Sequence, residues 1–138
     1  MMKRVAWSLA SLIFLLLVTT YIALEQSDVL VVETFDKSLQ QPRYTHIWFV
    51  ESEGGIYLEA GHPQNPWVQD LANQHTIGIQ GDNLDGWYAF NIDKSDEAHL
   101  NIRTLMREKY GWRDWWIAVL FDTSQSQLLT LSFTDQVL

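Results

Sequence analysis

The chain is 138 residues long, contains no cysteine and carries a formal net charge of −8 at pH 7. After any membrane segment this length supports one compact domain and no more. The missing thiols exclude a disulfide framework, a cysteine nucleophile and a thiolate metal site, and the acidity argues against a nucleic-acid surface or contact with anionic headgroups.

Val5 to Leu24 holds no charged residue and has a Leu-Ile-Phe-Leu-Leu-Leu-Val centre, enough to cross a hydrocarbon core of roughly 30 Å. It predicts a single-pass anchor over residues 1–24, with 25–138 as the folded domain. A cleaved signal peptide is the alternative. Its cleavage site would want small residues where Tyr21 and Ala23 stand, and Tyr21 is bulky. Lys3 and Arg4 precede the span, and Glu25 and Asp28 follow it. This asymmetry predicts a cytoplasmic N-terminus, and in a bacterium an inner-membrane protein with a periplasmic domain. All Asp and Glu residues lie beyond Leu24, where they favour solubility.

Asp28 to Phe35, with Val29-Leu30-Val31-Val32, reads as a first strand, and Asp36 to Pro42 as a polar loop. Tyr44 to Glu51 and Ile56 to Ala60 read as a hairpin about Gly54-Gly55, a pair that tolerates positive φ. Asn65 is placed to cap a helix opened by Pro66, which buries Trp67, Val68 and Leu71 and ends near Gln74. Thr76 to Gln80 and Trp87 to Ile92 read as strands. Ser95 is placed to cap a longer helix with Asp96 and Glu97 at its positive end, Ala98, Ile102, Leu105 and Met106 as its apolar stripe, and Gly111 as its stop. Trp115 to Phe121 and Leu128 to Phe133 read as a final β-pair about Thr123-Ser124-Gln125. The sum is mostly β with two helices, an α+β domain built as a small antiparallel barrel with helices outside.

The run from Arg43 to Leu71, a Gly-Gly hairpin feeding directly into a Trp-containing helix, resembles the split β-barrel flavin-binding superfamily, in particular its deazaflavin-dependent nitroreductase or quinone reductase branch. The resemblance spans roughly Val29 to Phe133 and implies a split β-barrel. Lys37-Ser38 and Pro42-Arg43 are similar to that family's basic phosphate loop, although its flanking glycines are absent and Asp36 and Leu39 stand beside the pair. A Lys, a Ser hydroxyl and an Arg supply the charge and directed donors that a phosphate requires. An ordinary polar turn is the competing reading. Asn65 to Leu71 resembles the family's Trp helix, with Asp70 where an Asn is usual. There Trp67 would flank the ring of the cofactor, or simply fill the core.

On the long helix His99, Arg103, Arg107 and Tyr110 recur at spacings that put them on one face, either as an anionic pocket or as a solvated charge stripe. Trp112, Trp115 and Trp116, with Trp48 and Trp87, would build a slot for a flat ring or pack the core. The four His residues show no metal-ligand spacing, and no hydrolase motif is present. The resemblance therefore implies an oxidoreductase that uses FMN or a deazaflavin coenzyme, held by Lys37, Ser38, Arg43, Trp48, Trp67, Arg107 and Tyr110. It would transfer hydride to a quinone-like or nitroaromatic acceptor. The cofactor would supply the redox chemistry, so no acid–base motif is required. Dimers sharing a site are common among split barrels, which leaves a homodimer open. A cofactor-free barrel acting as a binding or assembly module at the membrane surface is the alternative.

Overall fold

A computed structural model describes residues 2–25, 28–52, 54–81 and 83–133, with backbone only for 2–4 and 133. The side chains of Lys3 and Arg4, which carry the expected orientation, lie outside the described residues. The N-terminal apolar run forms helix α1 (Met2–Glu25). Six strands follow: β1 (Val29–Asp36), β2 (Gln41–Ser52), β3 (Gly55–Glu59), β4 (Thr76–Gln80), β5 (Gly86–Asp93) and β6 (Leu128–Phe133). They close an antiparallel barrel in the order β1-β2-β3-β6-β5-β4, so each of the described strands has a neighbour on both sides. Between them lie α2 (Pro66–Asp70), a 3-10 turn (Leu71–Asn73), α3 (Asp96–Tyr110) and α4 (Trp112–Leu120).

The register follows from the hydrophobic pattern. Val29 opposes Trp48 and Phe35 opposes Pro42 across β1 and β2, and Val32 opposite Ile79 joins β1 to β4 and shuts the cylinder. Leu30, Val32, Ile47, Phe49, Leu58, Ile77, Ile79 and Leu129 fill its interior, with Trp67 and Leu71 packed among them. Successive side chains of a strand point to opposite faces. In the middle of β2 both faces are buried: Ile47 and Phe49 enter the barrel, while Trp48 and Val50 meet Ala98, Ile102, Met106 and Tyr110 of α3 outside it.

Several expectations hold. Ser95 Oγ accepts from Ala98 N at 3.2 Å, and Gly111 ends α3 at φ 56°. Asn65 sits at the start of α2, but its side chain makes no cap bond; its backbone carbonyl accepts from Val68 N and Gln69 N. The polar segment after β1 is shorter than expected. β1 runs through Asp36, residues 37–40 turn, and Pro42 already lies in β2.

The larger correction concerns Trp115 to Phe121, which is not a strand but most of α4. Gly111 breaks the helical axis without ending helix formation. The aromatic and branched residues that resemble a strand also repeat with helical period, with Trp112, Trp115 and Val119 exposed on one side and Asp114 buried on the other. Thr123-Ser124-Gln125 consequently links α4 to β6, and β6 pairs with β3 and β5. Beyond α1 there are three α-helices among the described residues rather than the expected two.

Candidate functional site

Three places bring the singled-out residues together. The first is the turn after β1. Asp36 Oδ1 accepts from Ser38 Oγ at 2.6 Å, Ser38 N at 2.8 Å and Leu39 N at 3.0 Å. Arg43 pairs through Nη2 with Asp36 Oδ2 and through Nε with Asp70 Oδ2 at 2.8 Å, which also accepts from Thr34 Oγ1. The Ser38 hydroxyl, then the Leu39 amide, hold the Asp36 carboxyl below the usual carboxylate range. The Arg43 guanidinium is raised in turn, chiefly by its bond to Asp70. A hollow of about 200 Å³ adjoins these groups, with Lys37 on its rim. The donors required by a phosphate are thus present, but a carboxylate of the chain itself already occupies them. A phosphate here would also meet the charges of Asp36 and Asp70, and the arrangement does not fit one.

The second place is the outer face of α3. Arg103 donates through Nη1 to Glu59 Oε1 at 2.7 Å and through Nη2 to Asp114 Oδ1 at 2.5 Å. Burial works against the Arg103 charge, yet Glu59 and Asp114 outweigh it and hold the guanidinium firmly protonated. Arg107 is mostly exposed, with Nε 3.8 Å from Asp114 Oδ2. His99 Nδ1 lies 2.8 Å from the Ser126 carbonyl. These three residues line one groove with Thr104 and Thr123. Tyr110 turns away from it. Its hydroxyl accepts from Phe49 N at 3.0 Å and lies 2.6 Å from the Asp28 carbonyl, and burial pushes its pKa far up. The ring stacks on Trp48 with centroids 4.2 Å apart.

The third place was not legible as a unit. A cavity of about 490 Å³ lies where the C-terminal end of α1, the outer face of β2 and the end of α4 meet. Leu24, Val29, Ile47, Ile117 and Phe121 form apolar wall, and Glu25, His46, Glu59, His62 and Asp122 supply polar edge. His46 Nδ1 is 3.0 Å from Glu25 Oε2. Trp48 also lines the cavity, and its buried indole N–H has no acceptor among the described residues, an arrangement that is costly unless a ligand or water completes it. Of the five Trp residues grouped in the sequence, only Trp48 lines this cavity. Trp67 is buried in the barrel core; Trp87, Trp112 and Trp115 are exposed; and Trp116 Nε1 donates to Thr20 Oγ1 at 3.1 Å. His46 and Trp48 stand two residues apart on one strand. That shared face was the available signal.

Among the described residues no three His, Cys, Asp or Glu side chains converge as a metal site. Searched by sequence, the chain matches no protein-family model and no curated protein. Its fold is similar to that of solved structures. HutZ, the haem storage protein from Vibrio cholerae, is 15% identical with a TM-score of 0.57 over 82% of this chain and 86% of that chain. A conserved hypothetical protein from Mycobacterium tuberculosis is 14% identical with a TM-score of 0.56, covering 86% and 79%. A provisional pyridoxamine 5'-phosphate oxidase from Listeria innocua is 12% identical with a TM-score of 0.52, covering 80% and 86%. At these identities the likeness is one of fold alone, a split β-barrel.

Proposed function

We propose that the protein is a membrane-anchored split-barrel binding protein that takes a flat, largely apolar ring of quinone type into the cavity between α1, β2 and α4. The observation that supports this most directly is the indole N–H of Trp48 in the cavity wall, buried without an acceptor among the described residues. A ring carbonyl reaching that N–H would satisfy it, while Leu24, Val29 and Ile117 cover the apolar faces. The volume falls within the range of small-molecule sites. In this reading α1 is retained in the inner membrane and the barrel lies on the periplasmic side, as the flanking charges favour.

The flavin-type fold favours a second reading: FMN or a deazaflavin coenzyme binds and passes hydride to a quinone-like or nitroaromatic acceptor in the same cavity. Bound there, the cofactor would supply the redox chemistry. Ser38 and Arg43 would then have to exchange Asp36 for phosphate, with Lys37 joining them, a step that the filled turn opposes. Calorimetric titration of the full-length protein in detergent with a short-chain quinone, FMN, a deazaflavin coenzyme and haem separates the two. The expected result is saturable quinone binding, weakened about tenfold in Trp48→Phe, the equivalent of one hydrogen bond. Binding of FMN or the deazaflavin instead, abolished by Arg43→Ala, would establish the second reading. Haem binding lost on His46→Ala would replace both.

A further inference from the structure

Helix α4 presents a stripe of large apolar side chains to the outside. Trp112, Trp115 and Val119 recur at i, i+3 and i+7 and are 53%, 61% and 62% exposed, and Phe121 just beyond is exposed too. The helix's one acidic residue, Asp114, faces the opposite way and is held by Arg103. So large an apolar surface on a short helix calls for a partner.

The packing of α4 indicates which. It lies against α1 near the C-terminal end of the apolar span Val5–Glu25, where Trp116 Nε1 donates to Thr20 Oγ1. Thr20 is five residues short of the end of that span, about 7 Å at 1.5 Å per residue. An interfacial helix buries its apolar face about 5–10 Å into the boundary between headgroups and acyl chains. The contact with α1 therefore sets α4 at the depth where such a helix lies. At this junction Leu24 of α1 and Phe121 just beyond α4 are both exposed and line the same cavity. Trp7 and Tyr21, both well exposed near opposite ends of α1, are the side chains expected at the two interfaces.

We infer that α4 is an interfacial helix: Trp112, Trp115, Val119 and Phe121 insert into the outer edge of the same bilayer that α1 crosses and hold the barrel against the membrane. The contact is apolar and not electrostatic, as the acidic domain requires. Because Leu24, Glu25, Ile117 and Phe121 also line the cavity, its mouth then opens at the lipid surface, where an apolar ligand is concentrated. The inference rests on α1 being retained as a span.

The chain has no cysteine, so single nitroxide labels at Val119→Cys and Trp115→Cys, in full-length protein in phosphatidylcholine nanodiscs, report depth directly. Labels at Leu12→Cys within the span and at Leu100→Cys on the exposed side of α3 are the references. The expected result is that Val119→Cys and Trp115→Cys collide with oxygen as freely as a shallow lipid position, and several-fold less with a water-soluble nickel chelate than Leu100→Cys does. Nickel accessibility equal to that of Leu100→Cys, with Leu12→Cys protected, overturns the docking while leaving the anchor intact. A water-exposed Leu12→Cys overturns the anchor and the docking together. Strong spin–spin broadening between Val119 labels assigns the face to a second copy of the chain and overturns the lipid assignment.

Discussion

The Asp36 carboxylate decides the chemistry of the turn after β1. It takes two amides, one hydroxyl and one guanidinium group, leaving a would-be phosphate loop self-satisfied. Because its pKa is lowered in the fold, its bonds contribute stability above the unfolded value of about 3.9 and lose it as pH falls further. Wild-type melting temperature is expected to drop on acidification below that point, with a smaller drop in Asp36→Asn; equal slopes in differential scanning fluorimetry would show that the turn contributes nothing. Tyr110 serves structure as well. Tyr110→Phe leaves the buried Phe49 amide without its acceptor, at a cost of about 1–3 kcal/mol, and should lower the melting temperature by several degrees while leaving ligand affinity unchanged. A loss of affinity at unchanged stability would return Tyr110 to the binding site.

Among the elements, α3 and α4 are joined by a buried clamp, and its two arginines are not equivalent although one turn apart. Arg103 neutralises Glu59 and Asp114 at close range, so Arg103→Ala leaves two carboxylates poorly paired in a site where Asp114 is almost wholly buried. The expected cost is about 3–5 kcal/mol, read by urea denaturation. Arg107→Ala, at an exposed and longer contact, should cost about 0–1 kcal/mol. Equal losses would mean that the clamp is not where α4 is held. The barrel strands and the limits of α3 were legible because alternation, Ser95 and Gly111 are local signals. Helix α4 was not: Trp-Trp-Ile-Ala-Val-Leu suits either a strand or a helix over so short a run, and the choice is made by Asp114 meeting Arg103 and by Trp116 meeting Thr20, contacts distant in sequence. The cavity was hidden for the same reason. Its walls come from α1, β2 and α4, and no single motif spans them.

For the whole molecule, the barrel and the α1–α4 pair are separable in what they bury. The interior of the barrel is filled by strand and α2 residues, with none from α1, so deleting residues 1–25 should leave the barrel folded. That deletion removes Leu24 and Glu25 from the cavity wall and uncovers the side of α4 that meets α1, adding apolar surface to a helix already exposing Trp112, Trp115 and Val119. A fragment beginning at Gln26 is therefore expected to retain its far-ultraviolet β signal, to self-associate or bind micelles in place of the lost helix, and to bind quinone more weakly than the full chain does. Size-exclusion chromatography with light scattering, with and without detergent, measures the association. A monomeric fragment without affinity for micelles would mean that α4 is content in water. Unchanged quinone affinity would mean that the cavity needs nothing from the end of α1.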